Sequence, residues 1–83
     1  MNYIKEENRI YAEDSQKKTI AEITFYEIEN GIYNIDHTFV DESLRGKGIG
    51  SKLVQEAINA IEQKGAQVQA TCPFAKKWIQ ENK

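Results

Sequence analysis

The sequence predicts an α+β fold in which an antiparallel β-meander is followed by a β-α-β-α unit. Two observations carry this prediction. The first half is rich in β-branched and aromatic residues, and after residue 48 the spacing of apolar residues changes to that of a helix. A helix that joins two strands makes them parallel neighbours through a right-handed crossover. The last two strands should therefore be parallel.

Three strands are predicted before the change of spacing. Residues 9–13 form a short candidate strand, and residues 18–28 form a longer one. An Asn30-Gly31 pair then predicts a hairpin into a third strand, residues 32–40.

The third strand alternates along its length. Unless a bulge interrupts it, strict alternation places two sets of residues on opposite faces. One set is Tyr33, Ile35, His37 and Phe39, and the other is Ile32, Asn34, Asp36, Thr38 and Val40.

Two helices are predicted in the second half. An apolar stripe runs through residues 49–61, and Gly65 is placed to end that helix with a left-handed cap. A short strand follows at residues 67–72. Pro73 suits the first position of a final helix that extends to about Glu81, with Phe74 and Trp78 predicted to pack on the sheet.

Length and composition narrow the class of protein. A chain of 83 residues is expected to form one domain, residues 1–83, and 29% charged with 40% apolar residues fits a soluble globule. The net charge of -2 argues against a nucleic-acid partner. No membrane span or signal peptide is visible, so a cytoplasmic location without a membrane partner is expected. The one cysteine, Cys72, cannot form an internal disulfide or a thiolate metal cluster, and no metal is expected.

A glycine-rich turn opens the first helix. Residues 45–50 hold three glycines and two cations. Glycine allows a close approach of the backbone to a ligand, and the free N–H groups of a helix start favour phosphate. Two phosphate motifs fit poorly, because a P-loop needs a different glycine spacing and a dinucleotide fingerprint needs glycine where Ser51 stands.

Arg45-x-x-Gly48-x-Gly50 begins five residues after Val40 and opens an amphipathic helix. It resembles the acetyl-coenzyme A signature Gln/Arg-x-x-Gly-x-Gly/Ala of the GCN5-related N-acetyltransferases. The resemblance implies a minimal acyl-coenzyme A N-acyltransferase fold, three-layer-like in its α/β arrangement, with acetyl-coenzyme A as co-substrate. It also implies two sets of donor-binding residues. The strand before the turn would bend at a bulge, and the pantetheine arm would pair with Thr38, Phe39 and Val40. The diphosphate would lie on Arg45, Gly46, Lys47, Gly48, Ile49, Gly50 and Ser51. Phe74 could touch the pantetheine arm instead of packing on the sheet.

The chain departs from the usual family pattern. Counterparts of the N-terminal helices that cover the substrate side are missing, as are the closing strands and a tyrosine in the last helix. Cys72 stands where many relatives carry a polar residue. This combination looks like the small acetyltransferase-like proteins of the YjdJ type, in which a cysteine at this place is a catalytic candidate.

Two residues are candidates for catalysis. Cys72 lies at the start of the last helix, where free N–H groups favour a thiolate. It could act as a nucleophile that accepts the acetyl group, as an acid that protonates the leaving thiolate, or only as a small buried residue. His37, the one histidine, could deprotonate an ammonium acceptor, or it could be a packed core residue.

The leading hypothesis is an acetyl-coenzyme A-dependent N-acetyltransferase that acts on an unidentified amine, either a small molecule or a protein. The alternative is a coenzyme A or acyl-coenzyme A binding module without catalysis. The sequence does not decide the oligomeric state, although a small sheet with an uncovered face or edge favours association.

Overall fold

The computed structural model describes residues 2–82. Its strands are β1 (Ile4–Glu6), β2 (Arg9–Glu13), β3 (Thr19–Glu29), β4 (Ile32–Val40) and β5 (Gln67–Ala70). Its α-helices are α1 (Ile49–Gln63) and α2 (Pro73–Asn82), and a 3-10 turn spans Glu42–Leu44. Within these residues, no helix combines the length and the apolar character that crossing a membrane requires.

The strands form one sheet in the order β1-β2-β3-β4-β5. Neighbouring strands from β1 to β4 are antiparallel, while β4 and β5 are parallel. The predicted meander and the parallel last pair are therefore confirmed. The sequence did not predict β1, because its three residues are all exposed and carry no apolar alternation.

Gly65 ends α1 as predicted. Its φ of +73° is left-handed, and its N–H donates to the carbonyl of Glu62 at 2.9 Å. The next N–H, of Ala66, donates to the carbonyl of Ile61 at 3.3 Å. These two bonds are those of a Schellman cap, which turns the chain from α1 toward β5.

The core lies between the sheet and α1. Five residues of α1 are buried, and Ala75 of α2 belongs to the same cluster. Trp78 packs against this cluster, as predicted for the last helix. The whole buried apolar set is Ile10, Ala12, Ala21, Ile23, Phe25, Ile35, Leu53, Val54, Ala57, Ile58, Ile61, Cys72 and Ala75.

A bulge in β4 changes which face its last residues occupy. Thr24 pairs with His37 and the next residue of β3 pairs with Ile35, so Asp36 is the extra residue. Ile35 and Thr38 therefore lie on the face that packs on α1, whereas His37 shares the opposite face with Thr24. Strict alternation is wrong beyond Ile35, because the extra residue reverses every side chain that follows it.

β4 and β5 separate immediately after Ile35. The N–H groups of Thr71 and Cys72 both donate to the Ile35 carbonyl, at 3.1 and 3.2 Å, and these bonds end the pairing. Within residues 2–82, the rest of β4 has no strand on that side. Residues 38–40 therefore present a free strand edge.

Neighbouring aromatic residues on β3 provide a test of this core. Phe25 is 1% exposed and Tyr26 is 46% exposed. Phe25→Ala should lower the free energy of unfolding by about 3–5 kcal/mol, because it leaves a cavity in the core. Tyr26→Ala should lower it by less than about 1 kcal/mol. Urea unfolding followed by circular dichroism measures both, with Phe25→Leu as a milder core variant. Equal losses at positions 25 and 26 would contradict the assigned core.

Candidate functional site

A cleft opens where the end of β4, the glycine-rich turn and the start of α2 meet. Its volume is about 370 Å³. We call it the first cleft. Its lining residues are Thr38, Val40, Leu44, Arg45, Gly46, Gly48, Ile49, Gly50, Ser51 and Phe74.

Asp41 fixes the path of the chain between β4 and the turn. Its N–H donates to the carbonyl of Ile20 at 2.8 Å, which ties this point to β3. Its carboxylate accepts the Ser43 hydroxyl at 2.6 Å and the Ser43 N–H at 3.1 Å. The Ser43 hydroxyl and N–H bonds, in that order, hold the pKa of Asp41 below its ordinary value.

Two glycines of the turn have backbone conformations that side chains disfavour. Gly46 has a φ of +83° and Gly48 a φ of +74°. Gly48 is the N-cap of α1, and the first helical hydrogen bond runs from the Lys52 N–H to the Gly48 carbonyl at 3.1 Å. Any other L-residue would be strained at these two positions.

The turn has unpaired hydrogen-bond donors beside the first cleft. In the described part of the chain, the N–H groups of residues 46–51 donate to no protein acceptor. In that same part, neither Arg45 nor Lys47 forms an ion pair. Free N–H groups, a helix dipole and the charges of Arg45 and Lys47 together favour an anion at this position.

Position 50 requires a glycine for a different reason. It lies inside α1, and a Cβ on it would come within 2.8 Å of the Phe74 ring. Phe74 is 47% exposed, so the prediction that it packs on the sheet is wrong. Its ring instead lies on the first turn of α1, where the missing side chain of Gly50 leaves room for it.

Cys72 lies next to the first cleft but does not line it. Its side chain is buried, with the residue 7% exposed, and the thiol donates to the Thr38 hydroxyl at an Sγ–Oγ1 distance of 3.5 Å. The Cys72 carbonyl accepts the Lys76 N–H at 2.9 Å, so Cys72 directly precedes α2. The Thr38 hydroxyl thus links the thiol to the cleft.

His37 points to the other face of β4. Its Nε2 lies 3.7 Å from Oε1 of Glu22, whose other carboxylate oxygen pairs with the Arg9 guanidinium. Thr38, which contacts Cys72, faces α1. The structure therefore does not bring the two catalytic candidates together.

Most of the predicted donor-binding residues do line one cleft. Two do not: Phe39 pairs with Glu22 of β3 and faces away from α1, and Lys47 is exposed outside the lining. Leu44 is a lining residue that the sequence did not predict, and Phe74 lines the cleft although the favoured prediction packed it on the sheet. A glycine inside a helix costs stability relative to alanine, so Gly50 was the signal that a neighbour lies close to α1.

The chain is similar to known proteins in both sequence and fold. A profile of the GCN5-related N-acetyltransferases matches residues 9–83. The chain belongs to this family. A GCN5-like protein from Staphylococcus aureus is 32% identical, with a TM-score of 0.80 over 96% of this chain and 78% of that one. The fold that the resemblance implied is thereby confirmed, and acyl transfer is the general chemistry of the family.

Other GCN5-related structures and sequences match more distantly. Ribosomal-protein-alanine N-acetyltransferase from Brucella melitensis shares the fold, at 19% identity and a TM-score of 0.69 over 89% of this chain and 58% of that one. Protein NATD1 from Homo sapiens is 29% identical over 51 residues, which are 61% of this chain and 45% of that protein. The match therefore spans less than half of this vertebrate relative. Membership of the YjdJ-type subgroup stays a prediction.

The hydrogen bonds at Asp41 predict a pH effect. Because the folded pKa is lowered, the stabilisation from Asp41 is present above its ordinary pKa and is lost as the pH falls through the lowered value. Ser43→Ala removes the hydroxyl bond and should raise the pKa of Asp41 toward the ordinary value. NMR titration of the carboxyl carbon measures this change, with Ser15→Ala as the control. An unchanged Asp41 pKa in Ser43→Ala would show that the hydroxyl is not the cause.

Proposed function

We propose that this protein is an acetyl-coenzyme A-dependent N-acetyltransferase whose donor lies in the first cleft. The observation that carries the proposal is the run of free N–H groups at residues 46–51, since five of these six residues line a cleft that continues along the free edge of β4. A diphosphate matches these donors because each N–H can bond a phosphate oxygen without desolvating a side chain. Arg45 and Lys47 add positive charge beside it.

The pantetheine arm fits the free edge of β4. An extended chain with amide groups can add to a strand edge through backbone hydrogen bonds, as a β-strand does. Thr38 and Val40 line the cleft at this edge, and Phe39 contributes only its backbone because its side chain faces away from α1. Such a placement carries the thioester toward Thr38 and Cys72.

Two routes for the acetyl group follow from Cys72. In direct transfer, the neutral amine nitrogen attacks the thioester carbon, the C–N bond forms and the C–S bond breaks. The leaving thiolate takes a proton from the Thr38 hydroxyl, which takes the Cys72 thiol proton, and the proton that the nitrogen loses restores the Cys72 thiol. In the mediated route, the Cys72 sulfur attacks the same carbon and its proton passes to the leaving coenzyme A thiolate. The amine nitrogen then attacks the acetyl carbon on Cys72, the C–S bond breaks, and the proton that the nitrogen loses restores the thiol.

The acceptor is proposed to be a primary amine, which must lose a proton before it attacks. His37 is the proposed base for an amine that approaches from the face opposite α1. On that face the Glu22 carboxylate lies 3.7 Å from His37 Nε2 and offers a counter-charge to an imidazolium.

A second function is favoured by the separation of Cys72 and His37. The thiol is buried beside the cleft and the imidazole lies on the other face, so these two residues do not form an acid–base pair. The alternative is therefore a coenzyme A or acyl-coenzyme A binding module that performs no transfer.

Two glycines with the same backbone requirement test the donor site. Gly48 and Gly31 both have a positive φ, and neither would have a neighbour within 4 Å of an added Cβ. Gly48→Ala and Gly31→Ala should therefore destabilise the fold similarly. Only Gly48→Ala should weaken coenzyme A binding, by about ten-fold or more, because it displaces N–H groups of the turn. Isothermal titration calorimetry measures the affinity. Equal affinities of the two variants would place the diphosphate elsewhere.

Cys72 separates the enzyme from the binding module. The unmodified protein, Cys72→Ala and Cys72→Ser are each incubated with acetyl-coenzyme A and a panel of polyamines and lysine peptides. Intact-mass spectrometry follows acetylation of the protein and of each amine. The enzyme hypothesis expects acetylated amine from the unmodified protein and at least about a ten-fold lower rate in Cys72→Ala. Coenzyme A binding without product across the panel would favour the module.

A further inference from the structure

A second cleft lies beside the first. Its volume is about 220 Å³, and it is lined by Ser51, Phe74, Lys77, Trp78 and Glu81. Ser51 and Phe74 also line the first cleft, so the two clefts are adjacent at the Phe74 ring. The ring is the boundary between them.

We propose that Phe74 is a specificity-determining residue of the donor site and that the second cleft holds the adenosine end of coenzyme A. This inference rests on the proposed function, because it takes the diphosphate to lie at the glycine-rich turn. Phe74 then selects donors that carry a nucleotide beyond the diphosphate.

The direction of the donor leads to this assignment. A diphosphate at the turn joins two arms that leave in different directions. Thr38 and Val40 line the first cleft at the free strand edge, which suits the pantetheine arm. The other arm must leave past Ser51 and Phe74, which are the residues that the two clefts share.

The chemistry of the second cleft matches a phosphorylated nucleoside. The exposed Phe74 ring and the partly buried Trp78 ring offer π faces on which a purine can stack. Lys77 provides a cation for the 3′-phosphate, and the Glu81 carboxylate can accept a ribose hydroxyl or the adenine amino group.

Gly50 sets the position of the Phe74 ring. Because a Cβ at residue 50 would lie 2.8 Å from the tip of the ring, the ring can occupy its present place only above a glycine. Gly50, the last residue of the signature, therefore also affects the site proposed for the nucleotide, because it sets the position of Phe74 on α2.

The test compares three ligands on five proteins. Coenzyme A, dephospho-coenzyme A and 4′-phosphopantetheine are titrated into the unmodified protein, Phe74→Ala, Phe74→Trp, Lys77→Ala and Tyr26→Ala. NMR chemical shifts follow each titration, since they also report weak binding. Tyr26→Ala is the matched control, because it removes an equally exposed aromatic ring from β3.

Phe74→Ala should weaken coenzyme A about ten-fold, the effect of one lost base–aromatic stack, and should change phosphopantetheine by less than about two-fold. Phe74→Trp should retain the affinity, and Tyr26→Ala should leave all three ligands unchanged. Lys77→Ala should weaken coenzyme A but not dephospho-coenzyme A, which lacks the 3′-phosphate.

Three results would overturn the inference. If Phe74→Ala binds coenzyme A as the unmodified protein does, the adenosine lies elsewhere while the proposed function stands. If it weakens phosphopantetheine as much as coenzyme A, the ring contacts the other arm. If the unmodified protein binds none of the three ligands, the proposed function fails and the inference fails with it.

Discussion

The candidate site depends on two hydrogen bonds to the carbonyl of Ile35. This carbonyl accepts the N–H groups of both Thr71 and Cys72, and with these bonds the parallel pairing of β4 and β5 ends. The separation leaves the edge of residues 38–40 free and lets α2 begin beside Thr38 rather than farther along the sheet. A regular continuation of β5 would close both the edge and the first cleft, so the end of the pairing at Ile35 creates the space for a ligand.

Features with a local cause were predictable from the sequence. Gly65 and the Asn30-Gly31 pair mark chain reversals because only certain residues accept a positive φ, and the apolar stripe of α1 follows from the geometry of one helix. The bulge at Asp36 has no such signal in the residues of β4, and only the family resemblance implied a bulge in this strand. It exists only in the pairing of β4 with β3, and a one-residue insertion cannot be read from the alternation of a single strand.

The candidate site likewise has a part that the sequence predicts and a part that it does not. The backbone donors of the glycine-rich turn belong to a contiguous motif, and most residues of that motif line one cleft. Phe74 lines that cleft because α2 packs against α1 at Gly50, and the contact of Cys72 with Thr38 joins residues 34 positions apart. Both contacts arise from tertiary packing, which local patterns do not describe.

The bulge also separates the chemistry of the two faces of β4. On the face toward α1, Thr38 contacts Cys72 and lines the first cleft. On the opposite face, Arg9 holds the Glu22 carboxylate, and His37 Nε2, at 3.7 Å, lies beyond hydrogen-bond distance. Glu22 therefore does not fix the imidazole as the carboxylate of a catalytic triad does. Since β4 itself lies between the faces, a donor on one side can meet an acceptor from the other only where β4 and β5 part, and that opening begins at the Ile35 carbonyl.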